Sequence, residues 1–254
     1  MATKACRDSS SLQSIRKGKI LMDPSDYALR KGRRRIHLLR HGEVSYFDST
    51  GRPYHPGTVP LNVEGVAQAE AAARELANVA FDRAVSSTLL RSTETAKLVI
   101  GTRALPLETR AEICEIQPGR LADIPPDSVE QLFVGAFGRN VGRETRFLGG
   151  ETFGSLEDRV LGCFRQLIAE QQWRSLLVVA HGGVNRVILA HALGVNLSAV
   201  GSIEQDAGCI NIIDVDAEGR FLVRLVNHTP SNPVKLGIDL TTMERIYLEY
   251  RRGS

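Results

Sequence analysis

The chain has 254 residues, 43% of them hydrophobic and 24% charged, with a formal net charge of +3. That length suffices for one large domain with a sizeable core, and the composition is that of an ordinary globular protein rather than a disordered or fibrous one. The charge is too small to argue for nucleic acid, and no stretch approaches the roughly 18 apolar residues of a membrane span, so neither partner is expected.

Residues 1–34 are polar and aperiodic, with at most one helical turn near 25–31. They read as a mobile N-terminal arm, followed by a single domain over 35–254. Arg30, Lys31, Arg33, Arg34 and Arg35 cluster there and read as a solvated approach to the first strand. The N-terminus lacks the apolar core of a secretory signal, and Asp8, Asp23 and Asp26 count against a transit peptide. Cys6, Cys114, Cys163 and Cys209 include no CxxC pair, so reduced, mostly buried thiols of a cytoplasmic protein are expected.

Ile36 to Leu39 is an apolar run that ends in Arg40-His41-Gly42-Glu43, a buried strand meeting a polar corner. A long loop with Gly51, Pro53, Pro56, Gly57 and Pro60 follows. Asn62 is placed to cap a helix to about residue 78, with Val63, Val66, Ala69, Ala73 and Leu76 as its apolar stripe. A strand at 84–86, a helix at 89–100 and a short strand at 105–107 come next. Residues 115–150 are rich in Pro and Gly, with a short helical stretch at 128–137. A helix at 155–172 leads to a second apolar run, Leu176 to Ala180, which ends in His181-Gly182-Gly183. A helix at 184–193 and a hairpin of strands 210–215 and 221–226 close the predicted elements. Alternating strands and helices predict an α/β fold: a three-layer α/β/α sandwich whose central sheet is mostly parallel with an antiparallel edge.

Two core strands that each end in His-Gly would place two imidazoles at one sheet edge, where open α/β sheets hold ligands. Between them runs Ser86-Ser87-Thr88-Leu89-Leu90-Arg91-Ser92-Thr93-Glu94-Thr95-Ala96. The ordered blocks resemble the histidine phosphatase superfamily, the group that includes cofactor-dependent phosphoglycerate mutases. The matching pattern is Arg40 to Glu43, Leu61 with Gly65, Gln68 and Ala69, Ser86 to Ala96, Glu115 with Gly119, and Ala180 to Gly183. It covers roughly residues 36 to 215.

Transfer of a phosphoryl group needs cations around three equatorial oxygens, an in-line nucleophile and an acid for the leaving oxygen. Arg40 and Arg91 carry planar forks that match phosphate, and His181 is a further donor. His41 can attack through one ring nitrogen if the other donates to a backbone carbonyl. The resemblance implies the same roles: His41 phosphorylated, with Arg40, Arg91 and His181 as the clamp. Glu115 is the expected general acid and base, because it stands four positions before Gly119 as the family pattern requires; Glu112 does not. Gly182, Ser45 and His55 are added as phosphate or substrate contacts. His37 is expected to be structural, and His191 and His228 have no assigned role. No histidine, aspartate or glutamate cluster has metal-ligand spacing, so no metal and no cofactor is expected.

Departures from the family pattern bear on substrate. Where the family carries Trp-Asn, with the Asn on the phosphate, this chain has Tyr46-Phe47, so one phosphate donor is missing or comes from elsewhere. Asn62 stands in place of a common Thr, and Leu121-Ala122-Asp123 in place of an aromatic-acidic-Gly run. Arg52, His55, Arg120, Arg139, Arg143 and Arg146 lie in loops that could line the mouth. Only 65 residues separate Glu115 from His181, without the long insertion of the family's mutases. The reading is therefore a phosphomonoesterase acting on a small phosphorylated metabolite. The alternatives are mutase-type phosphoryl transfer and a non-catalytic module that binds a phosphorylated ligand. Oligomeric state is not legible, with a dimer one option.

Overall fold

The computed structural model describes residues 32–48, 50, 52–138 and 141–252. The expected arm, but for its last three positions, lies outside these residues, as do Cys6 and Arg139.

Seven residues of β1 (Arg34–Arg40) run through the middle of the molecule. It is followed by α1 (Val63–Glu75), β2 (Arg83–Ser87), α2 (Leu90–Ile100) and β3 (Leu107–Arg110). Then come α3 (Val129–Val134), α4 (Phe153–Ala169), β4 (Ser175–Ala180) and α5 (Gly182–Leu193). A hairpin, β5 (Ile210–Val215) and β6 (Phe221–His228), precedes a last helix, α6 (Thr242–Arg252). The six strands form one sheet in the order β3-β2-β4-β1-β5-β6. β1, β2, β3 and β4 are parallel, and β5 and β6 add the antiparallel edge.

Alternation along the strands splits the core in two, because successive side chains leave a strand on opposite faces. Ile36, Leu38, Leu176 and Val178 face α4 and α5, with Leu156, Val160, Phe164 and Leu167 as the buried stripe of α4. Leu39, Leu177 and Val179 face α1 and α2 through Ala72, Leu76, Ala96 and Val99. The result is the three-layer sandwich read from the sequence.

Two expectations change. Val63 is 90% exposed, so α1 does not present the Val63/Val66 stripe. It turns Gly65, Ala69, Ala72 and Leu76 inward, because its first turn lies directly on the loop after β1. A Cβ on Gly42 would stand 2.2 Å from the Gly65 carbonyl oxygen, and one on Gly65 2.0 Å from that of Glu43. Only hydrogen side chains allow that approach. The second change is α6, which was not foreseen. Its start is a reciprocal cap, in which Glu244 Oε2 accepts from Thr241 N–H at 2.6 Å and Thr241 Oγ1 accepts from Glu244 N–H at 3.2 Å.

Candidate active site

Three parallel strands deliver the site at their carboxyl ends. Arg40 ends β1, the turn after β2 starts α2 at Arg91's helix, and β4 ends beside His181, the N-cap of α5. All four predicted side chains converge and are buried: Arg40, His41, Arg91 and His181 are 5%, 1%, 2% and 0% exposed. The His41 and His181 rings lie 5.0 Å apart. His41 Nδ1 is 2.6 Å from the Gly42 carbonyl oxygen. A carbonyl only accepts, so Nδ1 carries the proton and Nε2 keeps its lone pair. Arg91 Nε donates to that Nε2 at 3.2 Å. Burial first, then the guanidiniums of Arg91 and Arg40, push His41 well below the ordinary imidazole value. Burial, Arg91, His41 and Arg40 do the same to His181.

Ser87 orients His181. Its Oγ lies 2.7 Å from Nε2 and accepts from Leu89 N–H at 3.3 Å. The other ring nitrogen, Nδ1, is buried with no protein partner. Arg40 is held from behind. Its Nη1 donates to the Gln205 carbonyl at 2.6 Å and to Thr242 Oγ1 at 3.1 Å, while its buried Nε has no protein partner. The first turn of α5 adds backbone N–H groups and the positive end of its dipole.

Glu115 reaches the same place from the irregular stretch before α3. Gly183 N–H donates to both carboxylate oxygens at 3.1 Å. A Cβ on Gly183 would sit 2.6 Å from Oε1, so the carboxylate approaches only because residue 183 is glycine. Arg159 on α4 fixes the backbone that carries it, donating to the carbonyls of Glu112, Cys114 and Glu115 at 2.6, 2.7 and 3.2 Å. Arg159 is itself paired with Glu151 at 2.8 Å. Glu112 is exposed.

Tyr46 and Phe47 take different places. The Tyr46 ring lies 5.9 Å from the Arg91 guanidinium carbon. Phe47 is buried against Tyr250 of α6 at 5.6 Å. Ser45 and His55 are exposed in the long loop, and His55 Nδ1 accepts from Gly57 N–H at 3.2 Å. The neighbouring Pro56 carbonyl accepts from Arg91 Nη1 at 2.5 Å. Arg143 is occupied with Glu157 and Asp158, and Arg146 with the Gly150 carbonyl. Arg52 and Arg120 are exposed. Sequence reasoning missed Ser87 as the partner of His181, together with Arg159, Gln205 and Thr242. Ser87 was within reach, since it ends a strand that pairs with β4. Among the described residues no group of three or more His, Cys, Asp or Glu is placed to hold a metal, and no helix is long and apolar enough to cross a membrane.

The chain is similar to known proteins. An adenosylcobalamin/alpha-ribazole phosphatase from Escherichia coli is 29% identical over 188 residues, 72% of this chain and 90% of that protein. Phosphoserine phosphatase 1 from Hydrogenobacter thermophilus is 27% identical over 194 residues, 75% of this chain and 91% of that one. The crystal structure of an alpha-ribazole phosphatase from Shigella flexneri superposes with a TM-score of 0.63 at 26% identity, covering 76% of this chain and 96% of that one. The profile of the histidine phosphatase superfamily (branch 1) matches residues 36–228, a span that holds every residue converging at the sheet edge except Thr242, and the chain belongs to that superfamily.

Proposed function

We propose that the chain is a phosphomonoesterase that hydrolyses a small phosphorylated metabolite through a phosphohistidine on His41, without a metal ion. The observation that carries this is the state of His41: a ring fixed through Nδ1, with an unprotonated Nε2 beside the Arg91 guanidinium. In this reading Arg40, Arg91, His181 and the Gly182 end of α5 hold the phosphoryl oxygens, and Ser45 and His55 meet the rest of the substrate. His41 Nε2 attacks phosphorus while Glu115 protonates the departing oxygen. Glu115 then takes a proton from the water that releases phosphate from His41. The guanidiniums supply the charge stabilisation that a metal would otherwise give. The similar proteins named for alpha-ribazole and phosphoserine support a metabolite rather than a protein or nucleic-acid substrate.

The test is direct. With chelator present, purified protein should release phosphate from p-nitrophenyl phosphate. Acid quenching with a 32P-labelled substrate should leave label on His41, and H41A should carry none. Label on His181, or activity that dies with chelator and returns with magnesium or zinc, overturns the reading.

A further inference from the structure

The segment beyond residue 228 lies outside the span shared with the family, yet α6 touches the nucleophile-bearing loop at four places. Thr242 Oγ1 accepts from Arg40 Nη1 at 3.1 Å. Arg245 pairs with Glu43 at 3.5 Å. Glu249 Oε1 accepts from the Tyr46 and Phe47 N–H groups at 3.1 and 3.4 Å. Tyr250 packs on Phe47. Of these, Tyr46 and Phe47 are the positions where the chain departs from the family's Trp-Asn pair, and α6 contacts them from the far end of the sequence.

Resting on the phosphatase reading, we propose that Thr242 is a positioning residue of the phosphate site. It is 7% exposed. Its hydroxyl donates to Glu204 Oε1 at 3.0 Å, so its lone pairs face Arg40. With the Gln205 carbonyl it takes up Nη1 and fixes the roll of the guanidinium. Nε, buried and without a protein partner, is then the edge turned toward Gly182, whose would-be Cβ lies 3.6 Å away. A planar cation rotated about its long axis would present the wrong edge to a phosphoryl oxygen, so the hydroxyl sets geometry rather than charge.

T242V keeps the shape and removes the hydroxyl, T242A removes both, and T242S keeps the hydroxyl alone. With p-nitrophenyl phosphate, T242V and T242A should lose about 10-fold in kcat/KM, the scale of one hydrogen bond to a charged group. Their inhibition constant for inorganic phosphate should rise by a similar factor while the melting temperature stays put, and T242S should behave as the parent. T242V equal to the parent in both readouts overturns the proposal. So does equal damage in T242V and T242S, or a lowered melting temperature with unchanged phosphate inhibition. A parent protein that neither cleaves the ester nor is protected by inorganic phosphate against thermal unfolding overturns the phosphatase reading itself, and this proposal with it.

Discussion

At the scale of single residues, neutral histidines in dry surroundings set the pH behaviour. A nucleophilic His41 must be unprotonated, and its native pKa lies well below 6.5 because of burial and the arginines. Acidification past pH 6.5 therefore leaves it competent. On p-nitrophenyl phosphate, kcat/KM should show no loss centred near 6.5; a titration there would mean that His41 is exposed to water during turnover. His37 shows the stability side of the same physics. Burial, then Arg35, lowers it from 6.5 to about 4, with Asp214 opposing. The unfolded chain takes up that proton first, so the stabilisation is complete above about pH 6.5 and drains away as pH falls toward 4. Melting temperatures across that window should fall, and H37L, which keeps an apolar contact to Phe81, should flatten part of the slope. Glu115 is tested through its leaving group. E115Q should slow hydrolysis of alkyl phosphates by roughly 10²–10⁴-fold, while the burst with p-nitrophenyl phosphate, whose leaving group needs little protonation, suffers much less. Equal damage to both bursts removes Glu115 from the acid role.

Elements explain which residues the sequence could reveal. Arg40, His41, Arg91 and His181 were legible because each follows or opens a regular element in a fixed order. Thr242 and Gln205 were not, since one acts across 202 positions and the other through a carbonyl that any residue possesses. α6 itself was readable. Thr241 and Glu244 form a capping pair, and Met243, Ile246, Tyr247 and Tyr250 repeat at helical spacing. α1 was placed correctly and rotated wrongly: Val63 and Val66 outweigh Gly65 on any hydrophobic scale, but the backbone approach of Gly65 to Gly42 decides which face turns inward. That contact gives a sharp expectation. G65A must push the loop after β1 by about an ångström or more, since its Cβ would stand 2.0 Å from a main-chain oxygen. Overpacking of this kind costs about 1–3 kcal/mol, and displacement of the nucleophile should lower kcat/KM by about 100-fold in protein that still folds. Parental kcat/KM would show that the loop yields freely.

For the whole molecule, the order of strands fixes what can be removed. The described residues lead into the amino end of β1, and the site sits at its carboxyl end, roughly 20 Å along an extended strand. A chain beginning at Gly32 should therefore keep its kcat on p-nitrophenyl phosphate; a folded but inactive product would assign the arm a part in the site. The sheet order has another consequence, for the birth of the protein. Among the described strands β1 is made first, yet its two neighbours are β4 and β5, so it sits between segments made much later. At ribosomal speeds of about 5–20 residues per second, its apolar run waits on the order of ten seconds for either partner. During that interval the apolar run Ile36 to Leu39 lacks both of its sheet neighbours, which exposes it to pairing between chains. A holdase that covers the segment should raise the yield of native protein, whereas a slowly translated stretch before residue 175 lengthens the wait and should send more of the protein into aggregates.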